Sequence, residues 1–168
     1  MKVTEKHVFF FGGIFSNWAY INNVYGGISV WYGDTEYILP TSEHVFMAEK
    51  AWLFNDEDSL RKIEVAITPR QAKLIGRQVK GFSEEVWKLH REEAMMNALK
   101  AKFRCSSKFR DELLKEEYKG KIFVEASPTD CIWGIGLSES TPYIDNVDTW
   151  KGTNLLGKLL TELRDSKL

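Results

Sequence analysis

From Ser83 to about Phe103 or Arg104 the chain holds one helical pattern, the longest in its 168 residues, and that helix limits how everything else can pack. Ser83 is placed to cap it, and Phe82 stands where it can staple against Trp87. Trp87, Arg91, Ala94, Ala98 and Ala101 recur along one side. Alanines at these positions let another helix approach closely.

A second helix start lies at Pro40-Thr41-Ser42-Glu43-His44. Pro40 discourages helix before it, and Thr41 or Ser42 can accept hydrogen bonds from the first free amides. Glu43 then falls in the first turn, where the helix dipole favours a negative charge. Lys50 is seven residues further on, so the two share a face with their Cα atoms about 10 Å apart along the axis. Met47 sits between them, and Val45, Phe46, Ala48, Trp52 and Leu53 form the apolar side. Taken alone, this pattern is accounted for by a capping glutamate and a solvated lysine.

Caps and glycines mark the remaining elements. Val8 to Phe11 is an apolar run stopped by Gly12-Gly13, as a buried strand would be. The loop Ile14-Phe15-Ser16-Asn17-Trp18 mixes aromatic faces with amide and hydroxyl groups. It suits a planar ligand, and equally a turn with Phe15 and Trp18 tucked into a core. Residues 28–32 and 35–39 flank Gly33-Asp34, a two-residue connection suited to a type II′ hairpin. An acidic break at 55–59 precedes a short helix to about Ala66. Thr68-Pro69-Arg70-Gln71 caps the next, which Gly76 ends. Arg70, Lys73 and Arg77 make a basic stripe of the kind that ordinarily faces solvent and that could instead dock a partner.

Ser106 or Ser107 starts a helix to about Glu117, and 122–126 is a short strand. It leads into Ser127-Pro128-Thr129-Asp130-Cys131-Ile132-Trp133-Gly134-Ile135-Gly136, which holds an acid, an indole and two glycines. This is not a dinucleotide fingerprint, because Glu139 occupies the place of a third glycine. Asp130 reads either as a turn residue or as a carboxylate at a pocket edge. Residues 138–148 read as a polar surface loop. The last helix follows Trp150-Lys151-Gly152-Thr153-Asn154 with Leu155, Leu156, Leu159, Leu160 and Leu163 on its apolar side. Its free N-terminal amides beside Lys151 could seat a phosphate.

Composition excludes several function classes. Lys and Arg total 23 against 24 for Asp and Glu, so a net charge of -1 gives no overall pull toward nucleic acid or an acidic membrane. Cys105 and Cys131 lack Cys-x-x-Cys spacing and read as reduced thiols of a cytoplasmic protein. No signal-peptide pattern or membrane-length apolar segment is present in the sequence. His7, His44 and His90 are scattered without metal-ligand spacing, and neither a P-loop nor a Gly-x-Ser-x-Gly elbow occurs.

Several fragments together resemble the NADAR/YbiA-like N-glycosidase family, named for riboflavin-biosynthesis intermediates. They are Phe15-Ser16-Asn17, the Pro40 to Ala51 stretch, Gly76-Arg77, Trp87, Met96 with Ala101-Lys102-Phe103, Glu125 with Asp130, Trp133-Gly134-Ile135-Gly136, Asn154-Leu155-Leu156-Gly157 and Leu163-Arg164. Their order covers the chain from Phe11 to Arg164. The resemblance implies Glu43, Lys50 and Asp130 as catalytic groups. It implies Phe15, Ser16, Asn17, Trp18, His44, Arg77, Trp87, Trp133, Gly134 and Asn154 as substrate contacts, with Trp87 and Trp133 as pocket walls and Arg77 able to meet a phosphate through paired donors. It also implies that the signature-helix lysine forms a transient Schiff base with the opened ribose, which requires a partly neutral amine.

Members of this family either hydrolyse ribosylaminopyrimidine phosphates of riboflavin synthesis or remove ADP-ribose from guanine in nucleic acid. Trp18, where a Phe is common, and the extended 138–148 segment leave that choice open. The expected fold is α+β and mostly helical, a single domain over 1–168 with a small sheet from the hairpin and the later strand. The expected function is hydrolysis of an N-glycosidic bond in a phosphorylated ribosyl or ADP-ribosyl substrate, without metal or redox cofactor and away from membranes. A non-catalytic ADP-ribose or nucleotide-binding module is the alternative.

Overall fold

The computed structural model describes residues 1–167. The chain forms two compact units, residues 1–16 with 108–167, and residues 17–107. The architecture is α+β.

In the first unit, β1 (Lys2–Val3) runs antiparallel to β2 (His7–Phe10), which pairs in parallel with β5 (Ile122–Glu125). Both faces of β2 are covered, which is why its sequence is a continuous apolar run and not an alternation. On one face Phe10, Phe15, Phe109, Tyr118 and Phe123 form a cluster of tilted and edge-on rings. On the other, Phe9 and Val124 join Ala126, Ile135, Leu137 and Ile144, with Trp150 packed alongside. The α5 helix (Ser107–Leu113) stops earlier than expected, and a 3₁₀ turn at Glu116–Tyr118 completes the connection to β5.

The α6 helix (Leu155–Asp165) lies along β5 and is fixed at both ends. At its start Asn154 adopts φ 54° and, instead of capping α6, accepts from the Glu125 N–H at 3.0 Å and donates to the Phe123 carbonyl at 2.9 Å. Near its end the buried Arg164 donates to the carbonyls of Tyr118 and Lys121, both at 2.6 Å. The segment read as a surface loop is anchored as well. Ile144 is in the core, its carbonyl accepts from Trp150 Nε1 at 2.7 Å, and Asp145 bonds His7 Nδ1 at 3.0 Å and the Thr4 hydroxyl at 2.8 Å.

The second unit contains the hairpin β3 (Ile28–Tyr32) and β4 (Thr35–Leu39) and the helices α1 (Ser42–Leu53), α2 (Glu57–Glu64), α3 (Pro69–Gly76) and α4 (Glu84–Cys105). Gly33 has φ 59° while Asp34 keeps a negative φ, as a type II′ turn requires. The expected strands all form, but they divide between two sheets. The hairpin makes its own two-stranded sheet, and the Ile122 strand finds its partner in β2. Ile28, Val30 and Tyr32 point inward, and α1 packs against α2, α3 and α4. The Thr68/Gln71 capping box and the Ser83 cap form as their spacing predicts. Gly76 has a more specific role than helix stop. A Cβ there would overlap the Met47 side chain, so the glycine is what lets α3 lie against α1. Among the described residues no helix is long and apolar enough to cross a membrane.

Asp56 ties this unit together. Its carboxylate caps α2 by accepting from the Ser59 N–H at 3.1 Å and the Ser59 hydroxyl at 2.6 Å, and it accepts from the Lys80 N–H at 2.8 Å. Burial opposes its charge, but the hydrogen bonds from Ser59 and Lys80 outweigh that and hold the carboxyl below its usual range. A pKa depressed on folding contributes stability that is complete above the unfolded value, about pH 4, and is lost as pH falls through the folded one. Asp56→Ala is expected to cost about 1–3 kcal/mol at neutral pH and to shrink the acid limb of the stability curve. Denaturant melts from pH 2 to 7 measure both effects. An acid limb as steep as that of the unsubstituted protein would show that this carboxylate is not its source.

Candidate active site

The α1 helix begins at Thr41, whose extended backbone turns its hydroxyl back toward the His44 N–H. The same hydroxyl donates to His44 Nδ1 at 2.8 Å once His44 Nε2–H donates to the Ala66 carbonyl at 3.0 Å. Burial favours the neutral ring, and the Ala66 carbonyl only partly offsets it. With no exposed surface and both nitrogens occupied, His44 fastens α1 to the turn after α2 and offers no free edge to a ligand.

Glu43 is buried in the first turn, and its N–H donates to the Asn17 carbonyl at 2.9 Å. This bond sets the start of α1 against the loop at Asn17. The Asn17 side chain is itself buried. Its Nδ2 points to Met95 Sδ of α4 at 3.2 Å, while its Oδ1 has no hydrogen-bond partner. Ser42 Oγ beside Glu43 is likewise buried and unpartnered.

Lys50 lies two turns beyond Glu43. Only 8% of it is exposed, and its ammonium has no hydrogen-bond or ion-pair partner among the described residues. It sits instead 4.0 Å from the centre of the Phe82 ring and 5.4 Å from that of Trp87. Burial lowers the pKa of this amine, and the Glu84 carboxylate partly restores it. The ring partner of Trp87 is Phe46 of α1 at 5.1 Å, and that of Phe82 is Phe54 at 5.5 Å. The aromatic groups read as a helix staple therefore line the lysine's slot.

Two further groups on these helices were not recognisable from sequence as unusual. Glu49, next to Lys50, accepts from the Tyr32 hydroxyl at 3.2 Å and from Asn97 Nδ2 at 3.1 Å; burial raises its pKa despite those bonds. Lys102 of α4 is wholly buried, which pushes its amine down to about 7. Only tertiary burial distinguishes these two from ordinary helix-surface charges.

In the other unit, Asp130 Oδ1 accepts from the N–H groups of Ile132 at 2.9 Å and Trp133 at 2.8 Å. Its second oxygen has no hydrogen-bond partner among the described residues. The loop is stitched down through Gly134 and Gly152. A Cβ on Gly134 would crowd the carbonyls of Glu125 and Asp130, and one on Gly152 would overlap the Gly134 carbonyl and Cys131. Trp133 is half-buried above this turn. Among the other expected contacts, Ser16 is half-buried, Trp18 is exposed, and Arg77 is exposed at the end of α3. Phe15 is enclosed by four rings and Asn154 is fully occupied by β5, so both hold the fold.

The second unit thus places Lys50 of α1 against Trp87 of α4, two turns from the buried Glu43, whose N–H is bonded to the Asn17 loop. The chemistry available there is a carboxylate, a desolvated amine and an indole face. That combination suits a reaction in which a sugar carbon gains positive charge and an amine attacks it.

Comparison with known proteins places this geometry in context. The family model described as the NADAR domain matches residues 9–166. N-glycosidase R617 of Acanthamoeba polyphaga mimivirus is 34% identical over 96% of this chain and 96% of its own. The chloroplastic riboflavin biosynthesis protein PYRR of Zea mays is 35% identical over 77% of this chain, which spans only 20% of the maize protein. The solved structure of Escherichia coli YbiA superposes with a TM-score of 0.69 at 28% identity, covering 99% of this chain and 87% of YbiA.

Proposed function

Because the chain belongs to the NADAR family, and is an N-glycosidase as its relatives are, we propose that residues 1–168 act as one domain that hydrolyses the N-glycosidic bond of a phosphorylated ribosyl or ADP-ribosyl substrate. The observation that carries this reading is Lys50, an amine held without a polar partner between two aromatic rings, two turns from a buried glutamate.

In this reaction the bond from the anomeric carbon to the base nitrogen breaks, and the base leaves with a proton. Glu43 stabilises the oxocarbenium-like carbon. The Lys50 nitrogen bonds to that carbon as the ring oxygen departs and takes up a proton, giving a Schiff base. Water then adds to the Schiff base and releases the amine and the sugar. Asp130, which the family resemblance adds as a second catalytic carboxylate, has one oxygen fixed by two amides and the other unengaged. Trp87 and Trp133 provide stacking surfaces, and Ser16, Asn17, Trp18 and Gly134 provide polar and planar contacts. The viral relative's name supports N-glycosidase action in general, and the maize relative's name supports a substrate from riboflavin biosynthesis.

The test is to incubate the protein, beside Glu43→Gln, with ADP-ribosylated guanine oligonucleotide and with a ribosylaminopyrimidine phosphate, following released base by mass. Release from one substrate by the unsubstituted protein, slowed about 10²–10⁴-fold in Glu43→Gln, is the expected outcome and identifies the leaving group. No release from either by folded protein that still binds ADP-ribose would replace this reading with a binding module.

A further inference from the structure

Arg91 lies on α4 one turn after Trp87 and one turn before Met95, so its side chain leaves the helix between theirs. Trp87 lies under the Lys50 ammonium at 5.4 Å, and Met95 meets Asn17 at 3.2 Å. Arg91 therefore emerges between the lysine slot and the Asn17 loop that holds the start of α1. Its Nε is buried with no hydrogen-bond partner, and the side chain makes no ion pair among the described residues, although Glu92 and Glu93 follow it directly on the same helix.

A buried polar atom left unpaired costs about 1–3 kcal/mol, so proteins rarely keep one without a use. Here Arg91 Nε, Asn17 Oδ1 and Ser42 Oγ are all of this kind, and the Lys50 ammonium against Trp87 has no hydrogen bond among the described residues. Arg91 Nε thus stays unpaired one helical turn from the Met95 contact with Asn17, whose own Oδ1 is also unpaired, and a ligand there would complete the guanidinium.

We propose that Arg91 forms an anion subsite in this unit and that it takes the phosphate carried by the ribosyl substrate. A guanidinium offers Nε and a terminal nitrogen as parallel donors, which match two oxygens of one phosphate. The Lys50 amine reacts at the sugar carbon, so a cation one helical turn beyond Trp87 falls within reach of a phosphate on the same sugar. Arg77, by contrast, is exposed at the end of α3 and offers no buried donor.

This inference rests on the proposed substrate class, but its test does not need turnover. Calorimetric titration compares ribose 5-phosphate with ribose on the unsubstituted protein, Arg91→Gln, Arg91→Lys and Arg77→Gln, each checked for native circular dichroism. The unsubstituted protein and Arg77→Gln are expected to prefer the phosphorylated sugar. Arg91→Gln loses about 10–100-fold of affinity for it, and Arg91→Lys, which keeps charge without the fork, falls between. If Arg91→Gln retains the full preference, or if the unsubstituted protein has none, the subsite is not at Arg91. A failure of the hydrolysis reading appears separately, as absent base release with phosphate preference intact.

Discussion

Lys50→Met is expected to lower turnover by about 10²–10⁴-fold while leaving resistance to denaturant unchanged or higher. The methionine keeps the length and apolar character of the lysine stem, so it still fills the slot between Phe82 and Trp87. What is lost is a cation held away from water without a hydrogen bond. Its ring contacts are worth about 0.5–2 kcal/mol, and desolvation of an ammonium costs several. Because burial lowers the pKa of this amine, the unfolded chain binds its proton more readily than the folded one. Stability contributed through this group therefore rises with pH across the window between the lowered and the ordinary lysine pKa. Lys50→Met should lack that slope, and Lys50→Arg, which cannot deprotonate, should be as inactive as Met. Full turnover in either variant would remove Lys50 from the chemistry.

Gly157→Ala should give the largest loss of stability of any single methyl addition to the first unit. A Cβ at Gly157 would overlap the Phe123 carbonyl oxygen and both polar atoms of the Asn154 side chain. Neither can yield, because the carbonyl belongs to β5 and the amide is bonded to Glu125 and Phe123. Helix α6 would have to withdraw from the strand, breaking those bonds and exposing Leu156 and Leu160. We expect a cost of about 3 kcal/mol or more. Gly76→Ala gives the comparison, since the obstacle there is the flexible Met47 thioether, which can move aside for about 1 kcal/mol. Urea melts of both variants measure the difference. Equal costs would mean that Asn154 does not fix α6 to the strand.

Local chemistry was legible wherever it is decided by neighbours in sequence. The caps at Thr41, Thr68 and Ser83, the Gly33-Asp34 turn and the apolar side of α6 all form as their spacing predicts. What could not be read was decided by partners distant in the chain. No local signal shows that the Ile122 strand pairs with β2 and not with the hairpin, because the whole second unit intervenes. Ile144 is one apolar residue in a polar stretch, and its burial depends on strands that the stretch never touches in sequence. His44 and Asn154 carry the polar groups of ligand-binding residues, yet their partners are backbone atoms at Ala66, Phe123 and Glu125. Arg91 shows the converse. Its position in a helix stripe was plain, but its lack of a partner appears only when every neighbour is in place.

The most direct test of Lys50 as the reacting amine is reductive trapping. The protein is incubated with ADP-ribose and cyanoborohydride at neutral pH, and modified peptides are identified by mass. A single adduct on the Lys50 peptide, absent in Lys50→Met and Lys50→Arg, is the predicted result. No adduct, or adducts spread over exposed lysines such as Lys88 and Lys151, would contradict it.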